Sequence, residues 1–456
     1  MEWPGVGCDV ATRRGIPPRE VGLPKPSPGR TARTVDVLMS MPISVLVSVL
    51  LILLATLSPW LGIAPMRIPS AWCLACGGAW VMDAVSNILL FLPLGLSLGS
   101  RMWRVRGIAL SAFALSFFVE TMQSFGIPPS RSPSASDLVT NTTGAIIGAL
   151  LWQYGRSLLC PTPRQARWLS AGGITVSVLT ISLTTLALTP RRPASADATP
   201  LRPSRFSYAP GYGWYGGRLT EVVLNGRHMP HHGDGPVVVE SSPVPDSLLI
   251  SATLRGRDAA SYTRAMVFVH AADDTLPDVA LSQRGDHLEL HVERRGSDWG
   301  LYMPYVRLPQ VLHDRATIDA QPMQINAVAT HGFLRLWANS ETTSVIRSLS
   351  LSPTLGWSML QSLIGPTHPM APVIHLLWLM TLVLPIGWWN ARTAHPRAAA
   401  GIAMLALASA CVLPAWMVRL PLPSLTDGLT MCALLITGMI VSRRTRTPTA
   451  REYISV

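Results

Sequence analysis

The sequence predicts an α-helical polytopic membrane bundle of about eight transmembrane helices, with an extracytoplasmic all-β, jelly-roll-like sandwich inserted between helices five and six. Three observations predict it. Of the 456 residues, 48% are hydrophobic and only 14% are charged, and the mean hydropathy is +0.32, too apolar for an ordinary soluble domain. Apolar windows of bilayer-spanning length recur toward both ends of the chain. Between them lie roughly 150 residues of short alternating runs broken by turn-formers.

The net charge of +12 raises the question of nucleic acid, but residues 191–352 carry 16 arginines and 16 acidic residues, so the whole excess lies between apolar segments. That is the pattern of membrane topology signals, and no nucleic-acid partner is expected. Six cysteines are too few for a disulfide scaffold in a chain this long. The close pair Cys73 and Cys76 lacks the second pair that a zinc site needs.

Residues 1–37 read as a basic cytoplasmic tail and 38–190 as a membrane domain of five helices. The expected spans are 38–60, 83–100, 107–126, 137–154 and 171–190, then 371–390, 398–418 and 424–442 within a C-terminal block 371–442, and a cytoplasmic tail 443–456 follows. With eight spans, the basic tail, the 101–106, 156–167 and 392–397 loops and the C-terminal arginines all fall on one side. The positive-inside rule then places both termini in the cytoplasm and makes residues 191–370 extracytoplasmic.

Within the first spans, Asp83 and Asn87 are four apart, Glu120 and Gln123 three apart, and Asp137 and Asn141 four apart, with Arg131 in the loop between the last two pairs. Each spacing puts both members on one helical face. Carboxylates in membrane helices are costly unless paired or hydrated, so three at one level predict a polar pocket open toward the outer leaflet. Gly144, Ala145 and Gly148 continue the Asn141 face, where a second helix can approach closely. The structural alternative is that Asp83 and Asp137 complement helix N-termini and Arg131 neutralises an acid. Glu120 resists that account, because it sits at the wrong end of its helix for the dipole.

Asp83-x-x-x-Asn87-Ile-Leu-Leu-Phe-Leu-Pro93-Leu-Gly95, then Glu120-x-x-Gln123, then Arg131 and Asp137-x-x-x-Asn141-Thr-x-Gly144-x-x-x-Gly148 together resemble the VanZ-like family over residues 38–155. The founding member of that family is associated with teicoplanin resistance, and broader comparisons suggest membrane-embedded enzymes acting on lipid head groups or lipid-linked glycans. The resemblance implies Asp83, Asn87, Glu120, Gln123, Arg131, Asp137 and Asn141 as site residues.

Chemically, a buried carboxylate can act as general acid or base, Arg131 can hold phosphate oxygens and the amides can orient a head group. Asp83, Glu120 and Asp137 could share Mg²⁺ with a diphosphate, although no cofactor is required by the pattern. The expected partner is a membrane lipid or a polyprenyl-linked glycan. A phosphodiester- or diphosphate-lipid hydrolase or transferase fits this set, as does a non-enzymatic lipid- or glycan-binding protein that alters glycopeptide susceptibility, because no nucleophile signature fixes a reaction.

Residues 191–204 form a Pro/Ala/Arg/Ser linker to the 205–352 sandwich. Expected strands are Leu219 to Leu224, Val237 to Glu240, Leu248 to Thr253, Ala265 to Val269, His287 to Val292 and Thr330 to Trp337, with turns at Asn225-Gly226, Gly233-Asp234-Gly235 and Arg284-Gly285-Asp286. They predict an antiparallel sandwich. Its rhythm, its size and the Asn225-Gly226 turn resemble concanavalin-like or laminin-G-like domains, which implies binding of a cell-wall or exopolysaccharide glycan. Tyr212, Trp214, Trp299, Tyr302 and Tyr305 are candidate platform aromatics, against the commoner fate of packing in the core. His228, His231 and His232 match no zinc signature. In the last spans, His375 lies near the outer end of span six and Asp427 is expected to cap the final helix.

Overall fold

A computed structural model describes residues 43–57, 80–101, 103–128, 133–190, 212–214, 218–228, 237–240, 247–255, 264–271, 279–312, 322–340, 344–361 and 364–445. Eight long helices stand among them: α1 (Ile43–Leu57), α2 (Trp80–Gly99), α3 (Val105–Ser124), α4 (Ala135–Leu159), α5 (Pro163–Ala187), α6 (Ala371–Asn390), α7 (Pro396–Met417) and α8 (Leu425–Arg444). Cys73, Cys76, Arg131, His231, His232 and the turn at 233–235 lie outside the described residues.

Six of these helices, α2, α3 and α5 to α8, are long and apolar enough to cross a membrane, not the eight expected. As described, α1 has 15 residues, short of the roughly 20 that span a hydrocarbon core. The 25 residues of α4 are long enough, but Asp137, the Thr140–Thr143 run, Gln153 and Arg156 dilute its apolarity. α5 begins eight residues before the expected span, inside the stretch read as a basic loop. The reason is a capping box: the Thr162 hydroxyl accepts from Gln165 N–H, the Gln165 side chain accepts from Thr162 N–H at 3.0 Å, and Pro163 opens the first turn.

Between α5 and α6 the chain forms two open six-stranded sheets. Its strands are β1 (Tyr212–Trp214), β2 (Arg218–Leu224), β3 (Arg227–His228), β4 (Val237–Glu240), β5 (Ser247–Arg255), β6 (Arg264–Ala271), β7 (Val279–Arg284), β8 (His287–Val292), β9 (Tyr305–Leu308), β10 (Met323–Thr330), β11 (Phe333–Asn339) and β12 (Ser344–Ser350). One sheet runs β12-β11-β10-β5-β2-β3 and the other β1-β6-β7-β8-β9, with β4 also on β6. The sandwich is not purely antiparallel, since β1 and β4 both join β6 in parallel. The run from Thr330 to Trp337 is no single strand: Thr330 closes β10, His331 and Gly332 turn, and Phe333 opens β11. Asn225 and Gly226 form the expected tight turn, with φ of 48° and 80°, the two positive values a two-residue hairpin turn needs.

The two sheets share one core of aliphatic side chains, including Leu248, Ile250, Leu281, Leu290, Ile325 and Leu334. Full burial of each stabilises the fold by roughly 1.5–3 kcal/mol. That same core takes in Ala187 and Leu188 at the end of α5 and Ala415 and Leu420 around the end of α7. Arg295 N–H donates to Thr189 O at 3.0 Å, and His331 Nε2 donates to Val418 O at 2.6 Å. Near the start of α2, a Cβ on Gly300 would stand 2.7 Å from the indole of Trp80. The sandwich therefore rests on the bundle end where α2 begins and where α5 and α7 finish.

Candidate functional site

The helical frame of the site rests on glycine. A Cβ at Gly95, Gly144 or Gly148 would collide with the carbonyl oxygens of Ala145, Ile88 and Leu92 respectively, so α2 and α4 touch backbone to backbone. They run parallel, Gly144 beside Ile88, Gly148 beside Leu92 and Gly99 beside Ala149. One turn before that contact each helix carries an amide, Asn87 and Asn141, and a turn earlier a carboxylate, Asp83 and Asp137. Both carboxylates stand in the first turn of their helices. Asp83 is exposed, Asn87 and Asp137 are half-buried, and Asn141 is buried.

α3 runs the other way and brings its C-terminal half to the same end. Asn141 Nδ2 donates to Ser116 Oγ at 2.8 Å, and Glu120 Oε2 accepts from Ser134 N–H at 2.7 Å. Ser134 is the N-cap of α4. A carboxylate at the wrong end of its own helix thus lies at the favourable end of the next, where unpaired N–H groups and the dipole stabilise negative charge. Glu120 is 1% exposed and Asn141 3%. Gln123 Nε2 reaches Thr56 O at 3.5 Å, tying the last turn of α1 to the same rim.

Two features bear on chemistry. Among the described residues the Asn141 Oδ1 atom is buried without a hydrogen-bond donor, and leaving such an acceptor unsatisfied costs about 1–3 kcal/mol. Among the described residues no three His, Cys, Asp or Glu side chains form a group able to hold a metal, so Asp83, Glu120 and Asp137 are not gathered as ligands of one ion.

A second polar constellation, not expected from the sequence, stands at the same end between α6, α8 and the segment leaving the sandwich. Trp357 Nε1–H donates to His375 Nδ1 at 3.0 Å, which leaves the His375 proton on Nε2, facing Asp427 Oδ1 at 2.9 Å. Asp427 Oδ2 accepts from Thr354 Oγ1 at 2.8 Å. Ser424 caps α8 through its hydroxyl, so Asp427 serves this cluster rather than the capping role expected of it. The signal available beforehand was a histidine and an aspartate each one turn into an apolar helix.

Of the expected platform aromatics, Trp299 and Tyr305 are both engaged within the sandwich. Trp299 packs against the sandwich core beneath the Arg295 guanidinium. Tyr305, 5% exposed, stacks on His291 at 4.8 Å and receives a bond from Arg307 at 3.0 Å. Arg307 and His291 also both hold the buried carboxylate of Glu289, at 2.7 and 2.9 Å. This ion-pair network lies beside the segment carrying Thr367, whose hydroxyl accepts from Arg307 N–H. At the junction with α5, Arg294 donates to Thr330 O at 2.7 Å, while its Nε has no partner among the described residues. Burial lowers its pKa to about 10, so it stays charged at neutral pH.

Residues 44–157, about a quarter of the chain, match the family model described as VanZ/LLP1. That stretch is a VanZ-like region. It comprises α1 to α4 and thus every residue of the rim described above. No curated protein and no solved structure matches the chain.

Proposed function

We propose that the protein is a bacterial envelope membrane protein whose α2–α3–α4 rim binds a lipid head group or lipid-linked glycan at the outer leaflet, without turning it over. The observation carrying this reading is the buried pair Glu120 and Asn141, with an Asn141 oxygen that no donor among the described residues reaches. Hydroxyls of a polyol head group or sugar are donors of the kind it lacks, and Arg131 in the adjoining loop would neutralise a phosphate. The proposal puts both termini in the cytoplasm and the sandwich outside, a reading that the arginine distribution supports. The sandwich, jelly-roll-like in our reading, meets this unit at Trp80 where α2 begins, and a glycan-binding surface on that side would meet the same ligand. By holding an envelope lipid, such a protein would change its access to glycopeptides of the teicoplanin type.

A lipid-processing enzyme would use the same Glu120 as acid or base, and its burial is what favours that second reading. The absence of a metal-ligating group among the described residues makes binding the better supported of the two. Purified protein in nanodiscs, given headgroup-labelled phospholipids and polyprenyl diphosphates with and without Mg²⁺, separates them. Saturable binding that falls at least tenfold in Glu120→Gln, with no product released, is expected. Product formation that needs Glu120 would establish the enzyme instead.

A further inference from the structure

The last four helices carry the first four's architecture again. α2 contains Leu92-Pro93-Leu94-Gly95 and α6 contains Leu384-Pro385-Ile386-Gly387; α4 opens on Pro133-Ser134-Ala135-Ser136-Asp137 and α8 on Pro423-Ser424-Leu425-Thr426-Asp427. Both serines are N-caps. The contacts repeat with the letters. A Cβ at Gly148 would meet Leu92 O, Leu96 N and Gly95 C; one at Gly438 would meet Leu384 O, Trp388 N and Gly387 C. Gly95 lies on Ala145 O and Gly387 on Leu435 O. One constant shift relates every residue of α2 in these contacts to its counterpart in α6, and a second relates α4 to α8.

The other helices follow. α3 ends with Gly126 at φ 77° and Ile127 N–H on Met122 O; α7 ends with Arg419 at φ 56° and Leu420 N–H on Ala415 O. The two helices stop in the same left-handed cap, even though an arginine occupies one of them. α1 packs on α2 and α3 as α5 packs on α6 and α7. The sandwich occupies the α5–α6 connection, the counterpart of residues 58–79 between α1 and α2.

Carried along the same shifts, Asp83 corresponds to His375 and Asp137 to Asp427. In the second copy these positions are bonded by the chain itself: Thr354 on Asp427 and Trp357 on His375. Thr354 is 1% exposed and Trp357 4%. We infer that α5–α8 are a second copy of the VanZ-like unit, and that its rim is a polyol head-group site closed by the chain's own segment Pro353–Met359, whose hydroxyl and indole N–H take the place of ligand donors. This rests on the reading of the first rim as a ligand site, and it specifies the ligand class for both: a lipid whose head group offers hydroxyl donors.

The test uses full-length protein, delipidated and titrated with phosphatidylglycerol, with bound lipids counted by native mass spectrometry. Thr354→Ala with Trp357→Ala should add one bound lipid to the wild-type number, and adding Asp427→Asn should remove it. A folded double variant that binds no more than wild type overturns the inference. A measurement independent of that variant's folding is hydrogen exchange of residues 353–359 in the wild type. Excess phosphatidylglycerol should displace the segment and speed its exchange at least tenfold, an effect absent in Asp427→Asn. Exchange unaffected by lipid overturns the inference as well. The separate loss of one bound lipid in Glu120→Gln tests the first rim, so failure of either reading is visible without the other.

Discussion

The two four-helix units share a backbone frame and differ at the rim it supports. In the first, Glu120, Asn141 and Ser116 are buried polar groups between α3 and α4. In the second, the position matching Asn141 is Met431, which sits in an apolar cluster with Leu434 and Leu435, and the polar positions His375 and Asp427 are bonded by the exit segment of the sandwich. The frame is therefore set by close helix contact, whereas the chemistry is set by a handful of positions that change without disturbing it. If the first rim holds a ligand, as proposed, then bonding the second to the inserted sandwich has turned a binding surface into an anchor.

The largest expected effect breaks the shared frame. Gly148→Val and Gly438→Val each push branched carbon into a neighbouring backbone, at Leu92 and Leu384. Backbone cannot withdraw as a flexible side chain does, so each should destabilise by ~3 kcal/mol or more. Thermal unfolding in detergent should show comparable losses in the two units. Gly155→Ala and Gly428→Ala, with open space at the Cβ, should stay within about 0.5 kcal/mol of wild type. A loss at Gly148 without one at Gly438 would break the equivalence.

The next effect separates the rims. His375→Ala strips Trp357 and Asp427 of a partner each, and should cost about 2–3 kcal/mol because two largely buried groups lose a hydrogen bond. Its counterpart Asp83 is exposed, and Asp83→Ala should cost less, at most about 1 kcal/mol, while weakening head-group binding. Equal destabilisation at both positions would mean that the first rim is as closed as the second. Between these lies Glu120→Gln. An amide oxygen still accepts from Ser134 N–H, but without charge, so a loss of about 1–2 kcal/mol is expected by the same unfolding measurement.

Much of this was legible from residue order. The Gly144-x-x-x-Gly148 pattern announced a close helix contact, and the spacing of Asp83, Asn87, Asp137 and Asn141 put them on facing turns, because helix period is a local property. The Asn225-Gly226 turn was legible for the same reason, since it depends on the φ preferences of two residues. What escaped depended on partners distant in sequence. Glu120 looked unexplained until Ser134 supplied the N-terminus of another helix. Asp427 looked like a cap because Thr354 and His375, which claim its carboxylate, lie across the helical interface. Trp299 and Tyr305 could not be assigned to core or surface from alternation alone, since the sheet holding β7 and β8 is buried on both faces. The recurrence of Leu-Pro-x-Gly and Pro-Ser-x-Ser/Thr-Asp was present in the letters throughout. Short apolar motifs recur in membrane chains too easily to be weighed without the matching contacts.

A small expected change in stability sharpens the comparison most. Replacing Asn141 by Met and Ser116 by Ala gives the first unit the apolar character its counterpart has at Met431. The pair removes a hydrogen bond of 2.8 Å, but it removes both partners together and abolishes the buried, donor-less Oδ1 as well. Losing both members of a buried polar pair is nearly neutral, unlike losing one, so the double variant should unfold within about 1 kcal/mol of wild type. Asn141→Met alone leaves Ser116, 0% exposed, without its donor and should be the less stable of the two. If the polar pair is kept for a ligand, phosphatidylglycerol binding should fall at least tenfold in the double variant despite its preserved stability. Binding that persists in a folded double variant would assign Asn141 to helix packing and leave Glu120 to hold the ligand without it.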